Sequence, residues 1–210
     1  PPGETADSAH DVLREYRIMD ALQETHVRVP RTVVKCSDTD VVGCKFYLME
    51  RNHGVVLRDE LPEEFDTASA KTAIGESLVD GLVEIHSVDY GEVGLEELGS
   101  PDGYIERQVR IWQNQFEWAF QRTNQERLIP QIERIADWLE SNIPTETHAA
   151  LVHGDFKLDN VMFSPAAPPE LVGIFDWEMS TLGDPLSDLG WLMAFWQDSG
   201  DSPPTVPELV

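Results

Sequence analysis

Basic residues are scarce in this chain: 15 Lys and Arg stand against 39 Asp and Glu among 210 residues, a formal net charge of −24. Nucleic acids and anionic membrane surfaces draw their affinity from Lys and Arg, so neither is expected as a main partner. Cysteine is scarcer still. Cys36 and Cys44 are the two present, and they form no metal-ligand pattern. They flank an expected hairpin turn and read as reduced core thiols rather than a disulfide. No apolar run approaches the ~20 residues of a membrane span, and no signal peptide precedes the first helix. A place in the cytoplasm is expected, or in an organelle matrix if the source is eukaryotic. Internal repeats are lacking. The chain opens on Pro1-Pro2-Gly3 instead of Met and closes on the Pro-rich stretch from Ser202 to Val210, so both ends read as cuts in a longer protein.

Apolar material is ample: 41% of residues are hydrophobic and six are Trp, enough to build a core. Ser8 and Asp11 read as a capping box opening a helix with Val12, Tyr16, Met19 and Leu22 on one face. Arg14 and Glu15 lie off that stripe and read as a solvated pair. Segments 31–36 and 45–50 read as two strands joined by a polar turn. Arg51-Asn52-His53-Gly54 then breaks the pattern and reads as a linker between lobes. From Thr67 to His86, Ala70, Ile74, Leu78, Leu82 and Ile85 recur at helical spacing. His86 is expected to be a structural residue. Pro101 opens a helix whose aromatic face (Tyr104, Trp112, Phe116) is expected to pack in the core. A further helix is expected from about Gln125 to Ser141, with Ile129, Ile132, Ile135, Ala136 and Leu139 facing inward and Pro144 beyond its end.

Chemistry concentrates between Leu151 and Glu178. Two apolar runs, each reading as a strand, carry polar groups at their ends: Asp155, Lys157, Asp159 and Asn160 after the first, Asp176 after the second. Val161–Phe163 and Leu171–Phe175 read as a hairpin beneath this loop, and the stretch from Thr181 reads as a loop leading into an apolar helix near Pro185. Two carboxylates, an amide oxygen and an ammonium gathered like this suit a site that holds a divalent cation and phosphate, since Mg²⁺ takes hard oxygen ligands from one or two carboxylates plus substrate phosphates. Phosphoryl transfer is mostly positioning and neutralisation of charge. Asp155 can act as a base on an acceptor hydroxyl, and Lys157 can neutralise the transferred group. Asn160 and Asp176 can share a metal.

These same residues carry a resemblance. His153-Gly154-Asp155-Phe156-Lys157-Leu158-Asp159-Asn160 resembles the catalytic loop of kinases, where the protein-kinase form is H-R-D-L-K-x-x-N. Gly154 in place of Arg points to the aminoglycoside phosphotransferase-like kinases. Ile174–Glu178 resembles that family's I-D-W-E segment, and Leu182–Trp191 its following G-D-P-x-x-D-L motif. The helix after Ser8 resembles the one that supplies a Glu to the ATP-positioning Lys, which gives Glu15 that role. Phe46–Gly54 resembles the strand and hinge beside adenine, with backbone groups of Glu50 and Asn52 against the base. Within the family, P-P-G before S-A-H-D-V-x-R-E-Y, and the helix R-Q-V-R-I-W, are similar to kinase-like domains associated with acyl-CoA dehydrogenases.

The resemblance implies an α+β, protein-kinase-like two-lobe fold, partial, with residues 1–50 as an N-lobe remnant, 51–54 as hinge and 55–210 as a mainly helical C-lobe. It implies a phosphotransferase that uses ATP and Mg²⁺ on a small-molecule hydroxyl. Asp155 and Lys157 are then catalytic, Asn160 and Asp176 hold metal, and Glu15, Glu50 and Asn52 serve the nucleotide. The family's Gly-rich loop and ATP-positioning Lys would precede Pro1, so this piece alone is expected to be inactive. The acceptor is open. An aminoglycoside or amino alcohol would suit the −24 charge, whereas the subfamily likeness implies a hydroxyacyl-CoA, itself an anion. The alternatives are a nucleotide-binding pseudokinase or regulatory module and, with fewer ligands to support it, a metal-dependent hydrolase.

Overall fold

A computed structural model describes residues 11–58, 61–122, 130–145 and 148–196. The first helix, α1 (Val12–Leu22), is capped by Asp11, whose carboxylate accepts from the N–H groups of Leu13 and Arg14 at 3.2 and 3.3 Å. That side chain satisfies donors a helix start leaves without partners, so the expected box led by Ser8 is not what starts the helix. Ser8 itself lies outside the described residues. Tyr16, Ile18, Met19 and Leu22 are buried. Next come β1 (Thr32–Cys36) and β2 (Phe46–Met49), an antiparallel pair as two strands joined by a polar turn predict. Both cysteines are free, but Cys44 is exposed and Cys36 only half-buried, because they sit where β1 and β2 approach the turn and not in the core.

Thr67 caps α2 (Ala68–His86), and the expected stripe of Ala70, Ile74, Leu78, Leu82 and Ile85 is buried. Two helices follow, α3 (Tyr104–Arg122) and α4 (Pro130–Ser141). Here the expectation fails in part. Tyr104 is buried, yet Trp112, Phe116, Ile135, Trp138 and Leu139 are exposed. The two helices pack on each other, and helical spacing fixes which residues share a face without saying what covers it. Ile129, and the start expected near Gln125, fall outside the described residues.

The remaining strands are short: β3 (Ala150–Val152), β4 (Val161–Phe163), β5 (Leu171–Ile174) and β6 (Thr181–Gly183). β4 and β5 form the expected antiparallel hairpin. β3 pairs with β6 through Ala150↔Gly183, Leu151↔Leu182 and Val152↔Thr181. β6 replaces the loop read from the sequence, because three residues are too few for alternation to register. The last helix, α5 (Leu186–Ala194), follows Pro185 as expected. One hydrophobic core runs from Ile18 in α1 through α2 to Leu192 in α5, with Phe65, Phe156, Phe163 and Trp177 fully buried within it. The architecture is α+β.

The 51–54 segment lies on the β4–β5 hairpin. Val55 and Phe163 exchange backbone hydrogen bonds of 2.8 Å in both directions. A Cβ at Gly54 would sit 2.4 Å from the Phe163 carbonyl oxygen and 2.5 Å from Met162 Cγ. Only glycine lets the two backbones meet there. Gly54→Ala is therefore expected to lower unfolding stability by about 1–3 kcal/mol, read by chemical denaturation; an unchanged midpoint would mean that this approach is not under constraint.

Candidate active site

The site begins with α5. Asp184 accepts from the Leu186 N–H at 3.0 Å, and Pro185 precedes the first helical residue, so the turn into α5 is fixed locally. Asp188, in the first turn of α5, is 1% exposed and buries its carboxylate beneath the 153–160 loop. There it accepts the N–H of His153 at 2.9 Å, the N–H of Gly154 at 2.8 Å and His86 Nε2 at 2.9 Å. A buried carboxylate tolerates removal from water only when its oxygens are occupied in this way. His86 is thus the structural residue expected.

Gly154 has φ +86°, and a Cβ there would lie 2.7 Å from the Met179 carbonyl oxygen. Conformation and space both require glycine at the position where protein kinases carry Arg. His153 is fully buried, and its neighbours define its tautomer: Nδ1 accepts the Asp155 N–H at 3.2 Å while Nε2 lies 3.0 Å from the Phe175 carbonyl, to which it must donate. Burial holds its pKa below the ordinary value, against the opposing field of Asp188.

These constraints aim the polar groups. Asp155 Oδ1 accepts from Trp191 Nε1 at 2.8 Å, and Oδ2 accepts from Asn160 Nδ2 at 2.8 Å and faces Lys157 Nζ at 3.1 Å. Asn160 Nδ2 also donates to the Asp155 carbonyl at 2.9 Å, which commits the amide nitrogen and leaves the amide oxygen to face away. The Asn160 carbonyl takes the Phe175 N–H at 2.9 Å, bringing the residue before Asp176 against the 153–160 loop. Asp176 adopts the left-handed conformation, φ 64° and ψ 60°, a region where Asp is among the few tolerated non-glycine residues. Desolvation first, then Glu178 and Asp155, push its carboxyl above the ordinary range. A carboxylate destabilised by burial and by its acidic neighbours fits a hard divalent cation completed by phosphate oxygens. Among the described residues there is no cluster of three or more His, Cys, Asp or Glu able to hold a metal by itself.

Arg14 and Glu15 are not a solvated pair. Arg14 donates to the carbonyls of Glu178 (2.9 Å) and Ser180, pinning α1 to the turn after Asp176. Glu15 accepts the Trp177 N–H at 3.3 Å and hydrogen-bonds with Tyr47. Burial raises the Glu15 carboxyl, and Asp176 and Glu178 add to the shift. Both residues turn off the apolar stripe because they reach a polar turn that only tertiary packing brings near. Glu50 donates its N–H to the Arg31 carbonyl at 2.8 Å. Asn52 donates to the Val172 carbonyl at 3.2 Å. Asp155, Lys157, Asn160 and Asp176 therefore meet in one place with Glu15 at its edge, while Glu50 and Asn52 lie on the segment that follows β2. Trp191 closes the motif Leu182–Trp191, but a bond to Asp155 from 36 positions away leaves no trace in spacing.

Residues 1–206 match the model of the phosphotransferase enzyme family. The chain belongs to that family. It is 36% identical over 210 residues to human acyl-CoA dehydrogenase family member 11, covering 99% of this chain and 25% of the relative. To mouse acyl-CoA dehydrogenase family member 10 it is 38% identical over 191 residues, 91% of this chain and 17% of the relative. A solved structure of a proposed aminoglycoside phosphotransferase from Ralstonia eutropha superposes with a TM-score of 0.78 at 36% identity, covering 90% of this chain and 56% of that one. The fold is protein-kinase-like, present in part, and the chain spans about a quarter or less of these curated relatives.

Two outcomes test the scaffold of the site. Asp188→Ala strands two buried backbone donors and His86, and is expected to cost about 3–5 kcal/mol of stability by denaturation. For His153 the folded pKa lies below the unfolded one. Above the unfolded value of about 6.5 neither state is protonated and there is no effect; below it the unfolded state takes up a proton that the fold refuses, so stability falls as pH drops. Melting temperature should therefore decline from pH 7.5 to 5.5 more steeply in the native protein than in His153→Gln. Parallel declines would exclude His153 as the cause.

Proposed function

We propose that the whole protein is an ATP-dependent kinase that transfers the γ-phosphoryl group to a hydroxyl of a small molecule. The observation that carries this is the convergence of Asp155, Lys157, Asn160 and Asp176 within hydrogen-bonding range of one another's loops. In this reading Asp155 orients the acceptor hydroxyl and takes its proton as the new O–P bond forms and the bond to the β-phosphate oxygen breaks, releasing ADP. Lys157, held beside Asp155, offsets charge on the transferred group. The Asn160 amide oxygen and the Asp176 carboxylate would hold Mg²⁺, which when bound neutralises the phosphate oxygens. Residues 1–50 serve as part of an N-lobe, 51–54 as hinge and 55–210 as C-lobe. Backbone groups of Glu50 and Asn52 would contact the adenine, and Glu15 would pair with the ATP-positioning Lys.

The acceptor class follows from chemistry outside this site. The excess of acidic residues favours a cationic aminoglycoside or amino alcohol, whereas relatives named for acyl-CoA dehydrogenation favour a hydroxyacyl-CoA. One observation supports a second reading, a nucleotide-binding module without turnover: Glu15 already accepts from the Trp177 N–H and hydrogen-bonds with Tyr47. Calorimetry with MgATP on the full-length protein, followed by ADP release with a 3-hydroxyacyl-CoA, an aminoglycoside and an amino alcohol, separates the two. Binding with turnover supports the kinase, and binding without it the module. Asp155→Asn is expected to lower turnover about 10²–10⁴-fold while MgATP still binds; activity kept within a few-fold would remove Asp155 as the base.

A further inference from the structure

The two oxygens of Asp155 are not equivalent. Oδ2 faces two donors, the Asn160 amide at 2.8 Å and the Lys157 ammonium at 3.1 Å, which occupy both of its lone pairs. Among the described residues Oδ1 has one donor, the indole N–H of Trp191 at 2.8 Å, which leaves one lone pair open. An acceptor hydroxyl must donate its proton to a free lone pair, so Oδ1 is the atom left to receive it. The indole is itself held. Trp191 lies on the same helix as Asp188, one turn before Phe195, whose ring meets it edge-on with centroids 5.2 Å apart. The Phe195 ring lies 5.7 Å below Lys157 Nζ, on the other flank of the same carboxylate. α5 thus reaches the 153–160 loop by three side chains: Asp188 at its backbone, Trp191 at the carboxylate and Phe195 at the ammonium.

From this we infer that Trp191 is a positioning residue of the reaction: its indole N–H fixes the rotation of the Asp155 carboxylate so that Oδ1 presents its open lone pair to the acceptor. The inference rests on the reading of Asp155 as base. Phenylalanine at 191 would keep an aromatic ring beside Phe195 and remove the N–H donor together with part of the indole, after which the carboxylate could turn about its last bond toward Lys157. A neutral donor that aims a base, and touches neither nucleotide nor metal, should act on turnover and leave nucleotide binding unchanged.

The test uses the full-length protein with ¹⁵N-labelled indoles. The Trp191 Nε1–H resonance, assigned by its loss in Trp191→Phe, is expected downfield and protected from exchange, and is expected to move upfield and exchange faster in Asp155→Ala. No movement in Asp155→Ala overturns the hydrogen bond and with it the inference. This arm needs no acceptor, and does not depend on Asp155 being the base. With the acceptor that supports ADP release, Trp191→Phe should lower kcat roughly 10- to 100-fold, the range set by a hydrogen bond to a charged group. KM for MgATP should stay within about twofold. If Asp155→Asn abolishes turnover while Trp191→Phe keeps full kcat, the positioning role is wrong and the base stands. If Asp155→Asn retains turnover, the base reading fails first, and the positioning role fails with it.

Discussion

Asp188 places a buried carboxylate between α5, α2 and the backbone of the 153–160 loop, and most of the site depends on that contact. Its oxygens take the N–H groups of His153 and Gly154, which fixes the backbone on either side of the left-handed Gly154. With the backbone set, His153 can reach the Phe175 carbonyl with one nitrogen and the Asp155 N–H with the other. Phe175 in turn donates to the Asn160 carbonyl. A chain of hydrogen bonds therefore runs from α2 through Asp188 and His153 to the residue before Asp176 and back to Asn160. Each link is directional and mostly out of reach of water, where such bonds are strong and a missing partner is costly. The candidate base and the candidate metal ligands are set in register by one carboxylate that touches none of them.

The charges inside the cleft are arranged against stability. Burial and neighbouring acids raise both Glu15 and Asp176. Arg14, the nearest cation on α1, gives its guanidinium to the carbonyls of Glu178 and Ser180, so it holds the turn in place instead of neutralising the carboxylates. A fold selected only for stability would pair these groups or replace them. Retaining them fits the proposed cation site.

The parts of the fold that were legible in the sequence are those whose signal is local. The stripe of α2, the β1–β2 pair, the β4–β5 hairpin and the loop ending at Asn160 each follow from residues within one element or one turn of each other. The family resemblance rested on the same short stretches, which is why it held. What could not be read depends on partners distant in sequence. Arg14 and Glu15 read as solvent-facing because the carbonyls of Glu178 and Ser180 and the N–H of Trp177 lie some 160 positions away. β6 is three residues long and exists only as the partner of β3. The apolar faces of α3 and α4 had the right period, but period carries no information about burial when the covering element is unspecified. Trp191 closes the motif Leu182–Trp191, yet nothing local to that motif says where its indole N–H points.

Asp176 brings these arguments together. A strand leaving the core in an ordinary extended conformation would carry its next side chain along the hairpin, away from Asn160. The left-handed turn at Asp176 reverses the chain immediately after β5 and leads straight into the short helical turn Trp177–Met179. Trp177 is then driven fully into the core, where its indole N–H meets the Ile174 carbonyl at 3.0 Å and its backbone N–H meets Glu15. The buried Trp is thus the anchor that holds an unfavourable backbone conformation in place, at a cost that Asp bears better than most residues. Glycine at 176 would adopt the turn more readily but would supply no carboxylate. Most other side chains would resist the conformation. Asp is the residue that meets the steric and the chemical requirement together, so the sequence Asp176-Trp177 specifies the turn, its anchor and the candidate ligand at once.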